Sequence, residues 1–248
     1  MRKNILITGA SSGLGYTMAK LYAQQGKNLV LCARRMDRLE QLKEELLALN
    51  GSINVELYSL DVNDHQQVFA VFEQAKASLG QLDRIIVNAG MGKGASIGTG
   101  YFEANLQTAQ TNFIAAIAQC EAAMKIFREQ NHGHLVTISS ISAARGFRRA
   151  LTVYAATKAG LSALTEGIRI DVMNTPIKVS CIHPGFIQSE INEKVEKVPF
   201  MVDTLTGCKA IVAAIDKEKA KAFVPANPWA FLYPILKVAP DSWLRKMS

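Results

Sequence analysis

The sequence predicts a doubly wound, mostly parallel α/β sheet in a single domain, on three observations. Short β-branched runs alternate with longer segments of helical period, the pattern of successive βαβ units. A glycine-rich turn, Gly9 to Gly15, joins the first such run to the first helix. The chain has 248 residues, 49% of them hydrophobic and 20% charged, which is the size of one large α/β domain with a sizeable core and excludes a disordered or low-complexity chain.

Residues 4–8 form the first strand and 14–25 the first helix, stopped by Gly26. The second strand, 28–33, leads into a charged amphipathic helix over 36–49, with Asp37 placed to cap it. Strands at 53–59 and 84–87 enclose a helix at 66–78. A loop rich in glycine, 90–100, precedes one long helix over 102–129. Then come a strand at 134–139, a helix at 153–173, a strand at 178–182, an irregular stretch at 186–200, a helix at 202–215 and a short strand at 221–224. The tail, 227–248, is apolar without a clear period, and Pro234 is expected to break any helix there. The division is thus one α/β domain over 1–226 and an apolar tail over 227–248.

The net charge of +7 invites an acidic partner, but the basic residues are scattered, the densest groups being Arg34-Arg35 and Arg145-Gly-Phe-Arg148-Arg149. Without a run of five or six, nucleic acid is not indicated as a partner. The four cysteines lie far apart and two fall inside strands, so free thiols in a reducing compartment are expected. The apolar run at the N-terminus is too short for a signal peptide or a membrane span, which makes the expected location cytoplasmic. His65, His132, His134 and His183 show no metal-ligand spacing, so no metal is expected.

The turn Thr8-Gly9-Ala10-Ser11-Ser12-Gly13-Leu14-Gly15 sits between the first strand and its helix. Glycines there let backbone approach a diphosphate, and the helix N-terminus offers free N–H groups, which is the Rossmann-type cradle for a dinucleotide. Tyr154 and Lys158 stand four apart in a helical segment, so both side chains project from one face and can share one site.

The glycine spacing T-G-x-x-x-G-x-G resembles the Tyr-dependent branch of the short-chain dehydrogenase/reductase family. The likeness recurs, in order, at Asp61-Val62, Asn88-Ala89-Gly90, Asn112, Ser139-Ser140, Tyr154-x-x-x-Lys158 and Pro184-Gly185, with Ser189 where the family often has Thr. It covers residues 3–225. The resemblance implies a nicotinamide enzyme acting on a carbonyl or secondary alcohol, with Tyr154 as general acid/base and Lys158 binding the nicotinamide ribose. It further implies that Ser140 hydrogen-bonds the substrate carbonyl, with Ser139 and Ser142 as rivals, and that Asn112 holds a water in a proton relay. Gly9, Ser11, Ser12, Gly13, Leu14, Gly15, Asp61, Val62, Asn88, Ala89, Gly90, Pro184, Gly185, Ile187 and Ser189 are the implied cofactor contacts. Bringing a phenol from about 10 to about 7 takes three pKa units, about 4 kcal/mol, and the Lys158 ammonium with the positive charge of an oxidised nicotinamide can supply it.

At the end of the second strand, where a carboxylate would take the ribose hydroxyls of NAD, this chain has Ala33-Arg34-Arg35. A guanidinium pairs with a 2′-phosphate, so NADP(H) is the expected cofactor through Arg34 and Arg35. A dinucleotide-binding redox sensor without turnover is the alternative, against which the full set of Asn112, Ser140, Tyr154 and Lys158 argues. A homodimer or homotetramer is expected, through the small, apolar stretches of the helices from Phe102 and Val153. The tail aromatics have two readings: packing over the substrate mouth or a neighbouring subunit, or weak contact with an anionic membrane surface beside Lys237, Arg245 and Lys246.

Overall fold

The computed structural model describes residues 2–188 and 199–247. Its elements run β1 (Asn4–Thr8), α1 (Gly13–Gln24), β2 (Asn28–Ala33), α2 (Met36–Leu49), β3 (Val55–Ser59), α3 (His65–Leu79) and β4 (Arg84–Val87). They continue with α4 (Phe102–Ala109), a π turn (Gln110–Ile114), α5 (Ala115–Gln130), β5 (His134–Ile138), a 3₁₀ turn (Ile141–Ala144) and α6 (Leu151–Asp171). The last are β6 (Lys178–Pro184), α7 (Thr204–Asp216), β7 (Lys221–Val224), α8 (Ala226–Val238) and α9 (Asp241–Met247).

The strands pair in the order β3-β2-β1-β4-β5-β6-β7, and every ladder among the described residues is parallel. Because side chains alternate across a strand, β1 sends Ile5 and Ile7 into one core with α1, α2 and α7, and Leu6 into the other with α3, α5 and α6. Burial on both faces explains why these strands read as unbroken apolar runs. The chain order reverses between β1 and β4, and a crevice opens there at the carboxyl ends of the strands. Helix ends carry local signals. Asp64 caps α3 by accepting from Gln67 N at 3.0 Å, and Gly80 closes it at φ +77°.

Three expectations need correction. The long helix over 102–129 is divided by the π turn, whose extra residue has no signature in the apolar period. Asp37 lies in the first turn of α2, where it faces the helix dipole, while Arg35 occupies the N-cap position. The tail is helical. In α8, Trp229, Tyr233 and Leu236 are buried while Phe231, Pro234, Ile235 and Val238 are exposed, so apolar residues surround the helix and no polar face marks its period. Pro234 is accommodated because it and Ala230, whose carbonyl it leaves without an N–H, both lie on the solvent side.

Candidate active site

The first turns of α6 bring Tyr154 and Lys158 to the carboxyl end of β5. Lys158 is buried, its Nζ donates to Ile138 O at 2.9 Å, and it stands 5.8 Å from the centre of the Tyr154 ring. Burial lowers the Lys158 ammonium from its ordinary value to about 8. Burial also raises the Tyr154 phenol, against a hydrogen bond with Ser140 that pulls it down. The phenol is therefore held as a neutral proton donor at neutral pH.

Ser140 follows β5 as the N-cap of the 3₁₀ turn, with Oγ accepting from Ser142 N at 3.1 Å. Its rival Ser139 is engaged elsewhere: its hydroxyl donates to Lys158 O at 2.9 Å and lies 2.8 Å from Ser162 Oγ. Asn112 occupies the π turn and is buried there, its Oδ1 accepting from Met91 N at 2.8 Å and its Nδ2 donating to Met91 O at 2.9 Å. A Cβ on Gly90 would stand 3.2 Å from Asn112 Oδ1 and 3.6 Å from Lys158 Nζ, so bare backbone is what lets these two side chains come together. Asn112, Ser140, Tyr154 and Lys158, 46 positions from first to last in the chain, thus converge on one site.

The crevice beside them fits a dinucleotide. Gly9 has φ +66° and a Cβ there would meet Ala89 Cα at 2.8 Å, so the turn closes only on glycine. Ser12 is the N-cap of α1 without a side-chain cap hydrogen bond, which leaves the first-turn N–H groups directed at an incoming anion. Asn88 and Ala89 brace the turn: both backbone N–H groups donate to Thr8 Oγ1, and Asn88 Nδ2 donates to Thr8 O at 2.9 Å. Arg35 donates through Nε and a terminal nitrogen to Ser11 Oγ at 3.2 and 3.1 Å. Arg34 is largely exposed and lies 4.0 Å from Asp61 Oδ2, and Asp61 Oδ1 accepts from Asn63 N in a local turn.

Two of the implied contacts have side chains directed into the core. Val62 packs with Leu60 and Val87, and Ile187 packs against Gly207, so either can face a ligand only through its backbone. Ser189 lies outside the described residues. Pro184 ends β6, and Gly185 is pressed against the indole of Trp229, where a Cβ would collide with the ring. Trp229 also meets Phe186 and Phe200 edge-on at 5.4 and 5.9 Å, and with Tyr233 it packs on Ile141. Sequence reasoning placed no role on Trp229 individually; its one signal was the aromatic density of the tail. The line Ser139–Ser162–His183 behind α6 had no signal at all, because its members come from three elements.

Comparison with known proteins bears on the family and the fold. The family model for short chain dehydrogenase matches residues 3–199. An uncharacterized oxidoreductase of Mycobacterium tuberculosis is 46% identical over 247 residues, covering 100% of this chain and 98% of its own. A short chain dehydrogenase/reductase from Burkholderia phymatum, solved in complex with NAD, superposes with a TM-score of 0.84 at 21% identity, over 100% of this chain and 96% of that one. An alcohol dehydrogenase from Thermococcus sibiricus, complexed with 5-hydroxy-NADP, gives 0.79 at 22% identity, over 89% and 94%. The chain belongs to the short-chain dehydrogenase family.

Proposed function

We propose that this oxidoreductase interconverts a carbonyl compound and a secondary alcohol with NADP(H), Tyr154 serving as the general acid/base. The observation that carries the reading is the convergence of Ser140, Tyr154, Lys158 and Asn112 beside a glycine turn open to a dinucleotide. The chemistry that a bound nicotinamide would supply is hydride transfer to or from the substrate carbon. Everything else falls to the chain. In reduction, Tyr154 Oη gives its proton to the carbonyl oxygen as that oxygen gains negative charge, and Ser140 Oγ holds the same oxygen by a hydrogen bond. Lys158, protonated at neutral pH with its ammonium at about 8, stabilises the phenolate that remains and can also reach the nicotinamide ribose. Asn112 fixes the Met91 backbone on both its N–H and C=O, and so shapes the path by which a water reprotonates the lysine.

The preference for NADP(H) rests on the end of β2. No carboxylate stands at Ala33-Arg34-Arg35, Arg35 is held over the glycine turn by Ser11, and exposed Arg34 is free to swing from Asp61 to a 2′-phosphate. The test is a panel of ketones, aldehydes and secondary alcohols followed by cofactor absorbance with NADPH and NADH, for wild type and Arg34→Asp. Turnover with NADPH is expected, and in the variant a shift toward NADH of about 2 to 4 kcal/mol in relative transition-state binding. Cofactor binding with no turnover across the panel would favour the sensor, and equal NADPH use by both proteins would place the phosphate contact elsewhere.

A further inference from the structure

The helix α8 is apolar on two sides, and the fold uses one of them. Trp229, Leu232 and Tyr233, at i, i+3 and i+4, pack toward Ile141, Phe186 and Phe223, and Leu236 at i+7 is buried on the same side. Phe231, Pro234, Ile235 and Val238 repeat the same spacing on the outside, with Phe231 73% and Val238 82% exposed, and Trp243 of α9 adds a further ring at 59%. From Pro228 to Val238, Lys237 is the one charged residue. A helix that is apolar all round is normally buried all round.

Exposed basic residues flank the helix: Lys221 and Lys237 stand at its edge on the Tyr233 side, with Nζ at 5.0 and 5.6 Å from the centre of that ring, and Arg245 is exposed on α9. Arg145 donates to Ala239 O and to Asp241 at the junction of α8 and α9, which ties the segment carrying exposed Arg148 and Arg149 to the same end of the molecule. Among the described residues, Asp241 is matched by Arg145 at 2.5 Å and Glu166 by Arg169 at 3.7 Å. Residues 130–165 contain no Asp or Glu at all.

We infer that the outer face of α8 with Trp243 docks on an anionic lipid bilayer, its apolar side chains entering the headgroup boundary and the surrounding lysines and arginines meeting lipid phosphates. The helical part of α8 from Pro228 is about 16 Å long, far short of a span but suited to lying in the interface. A second copy of the chain is the competing occupant of this face, and it would bring no phosphates to the basic residues around it. The inner side of the same helix packs on Gly185 and Phe186, so docking brings the rim of the catalytic crevice to within about one helix diameter, ~10 Å, of the lipid.

The experiment is co-sedimentation of the full chain with vesicles of phosphatidylcholine alone and of phosphatidylcholine with phosphatidylglycerol, at low and high salt. Expected is binding to the anionic vesicles at least about tenfold tighter than to the neutral ones, weakened by salt, with a blue shift of Trp243 emission on binding. Phe231→Ser with Val238→Ser should lower that affinity about tenfold, and Lys237→Glu with Arg245→Glu by at least as much. All four positions are exposed, so both variants should melt with the wild type by circular dichroism, and the charge variant decides the matter if the apolar one does not fold. Wild-type protein that stays in the supernatant with anionic vesicles at low salt overturns the inference, as does binding that both variants leave unchanged. A dimer that the Phe231→Ser, Val238→Ser variant splits, without vesicle binding by either protein, assigns the face to a second copy and also overturns it.

Discussion

Each end of the parallel sheet buries a cation and a histidine, Arg84 and His134 at one and Lys158 and His183 at the other, and treats them differently. At the amino end, Arg84 donates to Asp216 Oδ1 at 2.6 Å, to the Tyr22 hydroxyl and Ile215 O at 3.3 Å, and to His134 Nδ1 at 3.0 Å. The other nitrogen of His134 lies 2.8 Å from Ser180 Oγ. At the carboxyl end, Lys158 has the single carbonyl of Ile138 as its hydrogen-bond acceptor among the described residues, and His183 bonds Ser162 through Nε2 while its Nδ1 is left without a partner. A buried charge met on every side locks the structure around it, whereas one with donors to spare is held ready for a ligand or a proton. Volume does not distinguish the two. A cavity of about 750 Å³ lies at the amino end, yet Arg2–Glu218 and Arg84–Asp216 in its lining already neutralise each other.

The largest effect that would break this contrast is at Tyr154. Tyr154→Phe removes one hydroxyl and is expected to lower turnover by about 10³- to 10⁴-fold, about 4 to 5.5 kcal/mol, with cofactor affinity within a few-fold and the melting temperature little changed. A variant with near-normal turnover in the absorbance assay would remove Tyr154 from the proposed chemistry. The matching change at the other end is Arg84→Leu. It strands Asp216 and the lone pair of buried His134, so a loss of about 3 to 5 kcal/mol in urea unfolding is expected, with kcat of the folded fraction unaltered. Lost turnover in fully folded Arg84→Leu would show that the amino end takes part in the chemistry after all.

The two ends were also unequally legible in the sequence. The glycine turn and the Tyr154-to-Lys158 spacing are local patterns, each inside one turn or one helix face, and the structure brings them together with Ser140 and Asn112. Arg84 and His134 are 50 residues apart and meet only because they are register partners in the β4–β5 ladder, which no local period announces. The strands at 4–8, 28–33, 84–87 and 221–224 are readable to the residue, the first three because burial on both faces leaves a short apolar run between turn signals. The π turn and α8 are not readable, one being a single inserted residue in a helix and the other lacking a polar face.

Lys158 sharpens the contrast with a change of opposite sign. Its ammonium is lowered to about 8 by burial, so the folded state disfavours the charge by about 3 kcal/mol at neutral pH, where lysine is protonated both folded and unfolded. Between pH 8 and the ordinary value near 10.5 the unfolded chain binds the extra proton, and stability rises with pH. Lys158→Met is therefore expected to be more stable than wild type by about 2 kcal/mol at pH 7, with the advantage gone near pH 10, and to be inactive. Urea titrations at the two pH values check it. A destabilised Lys158→Met at pH 7 would mean that this cation is as fully met as Arg84.

The smallest expected effect concerns the histidines. Burial, aided by Lys221, lowers His183 to about 4, and burial with Arg84 beside it lowers His134 well below its ordinary value. Both rings are neutral when folded, so each contributes stability that is present above pH 6.5 and lost as pH falls, when the unfolded imidazoles take up protons first. For His183 the loss between pH 6.5 and 5.5 is about 1 kcal/mol, continuing toward pH 4. His183→Phe keeps the ring against Phe223 and Tyr233 and removes a nitrogen without a hydrogen-bond partner among the described residues, while Ser162 retains Ser139 and the Lys158 carbonyl. Stability at pH 7 should accordingly change by less than about 1 kcal/mol, and the fall between pH 6.5 and 5.5 should shrink by about the same amount. The part that survives in the variant belongs to His134. Substituting that residue by Phe instead should be costly at every pH, because Arg84 Nε and Ser180 would then be buried without a partner. Unfolding curves at the two pH values for both variants check the assignment: equal losses at pH 7 would erase the difference between the two ends of the sheet.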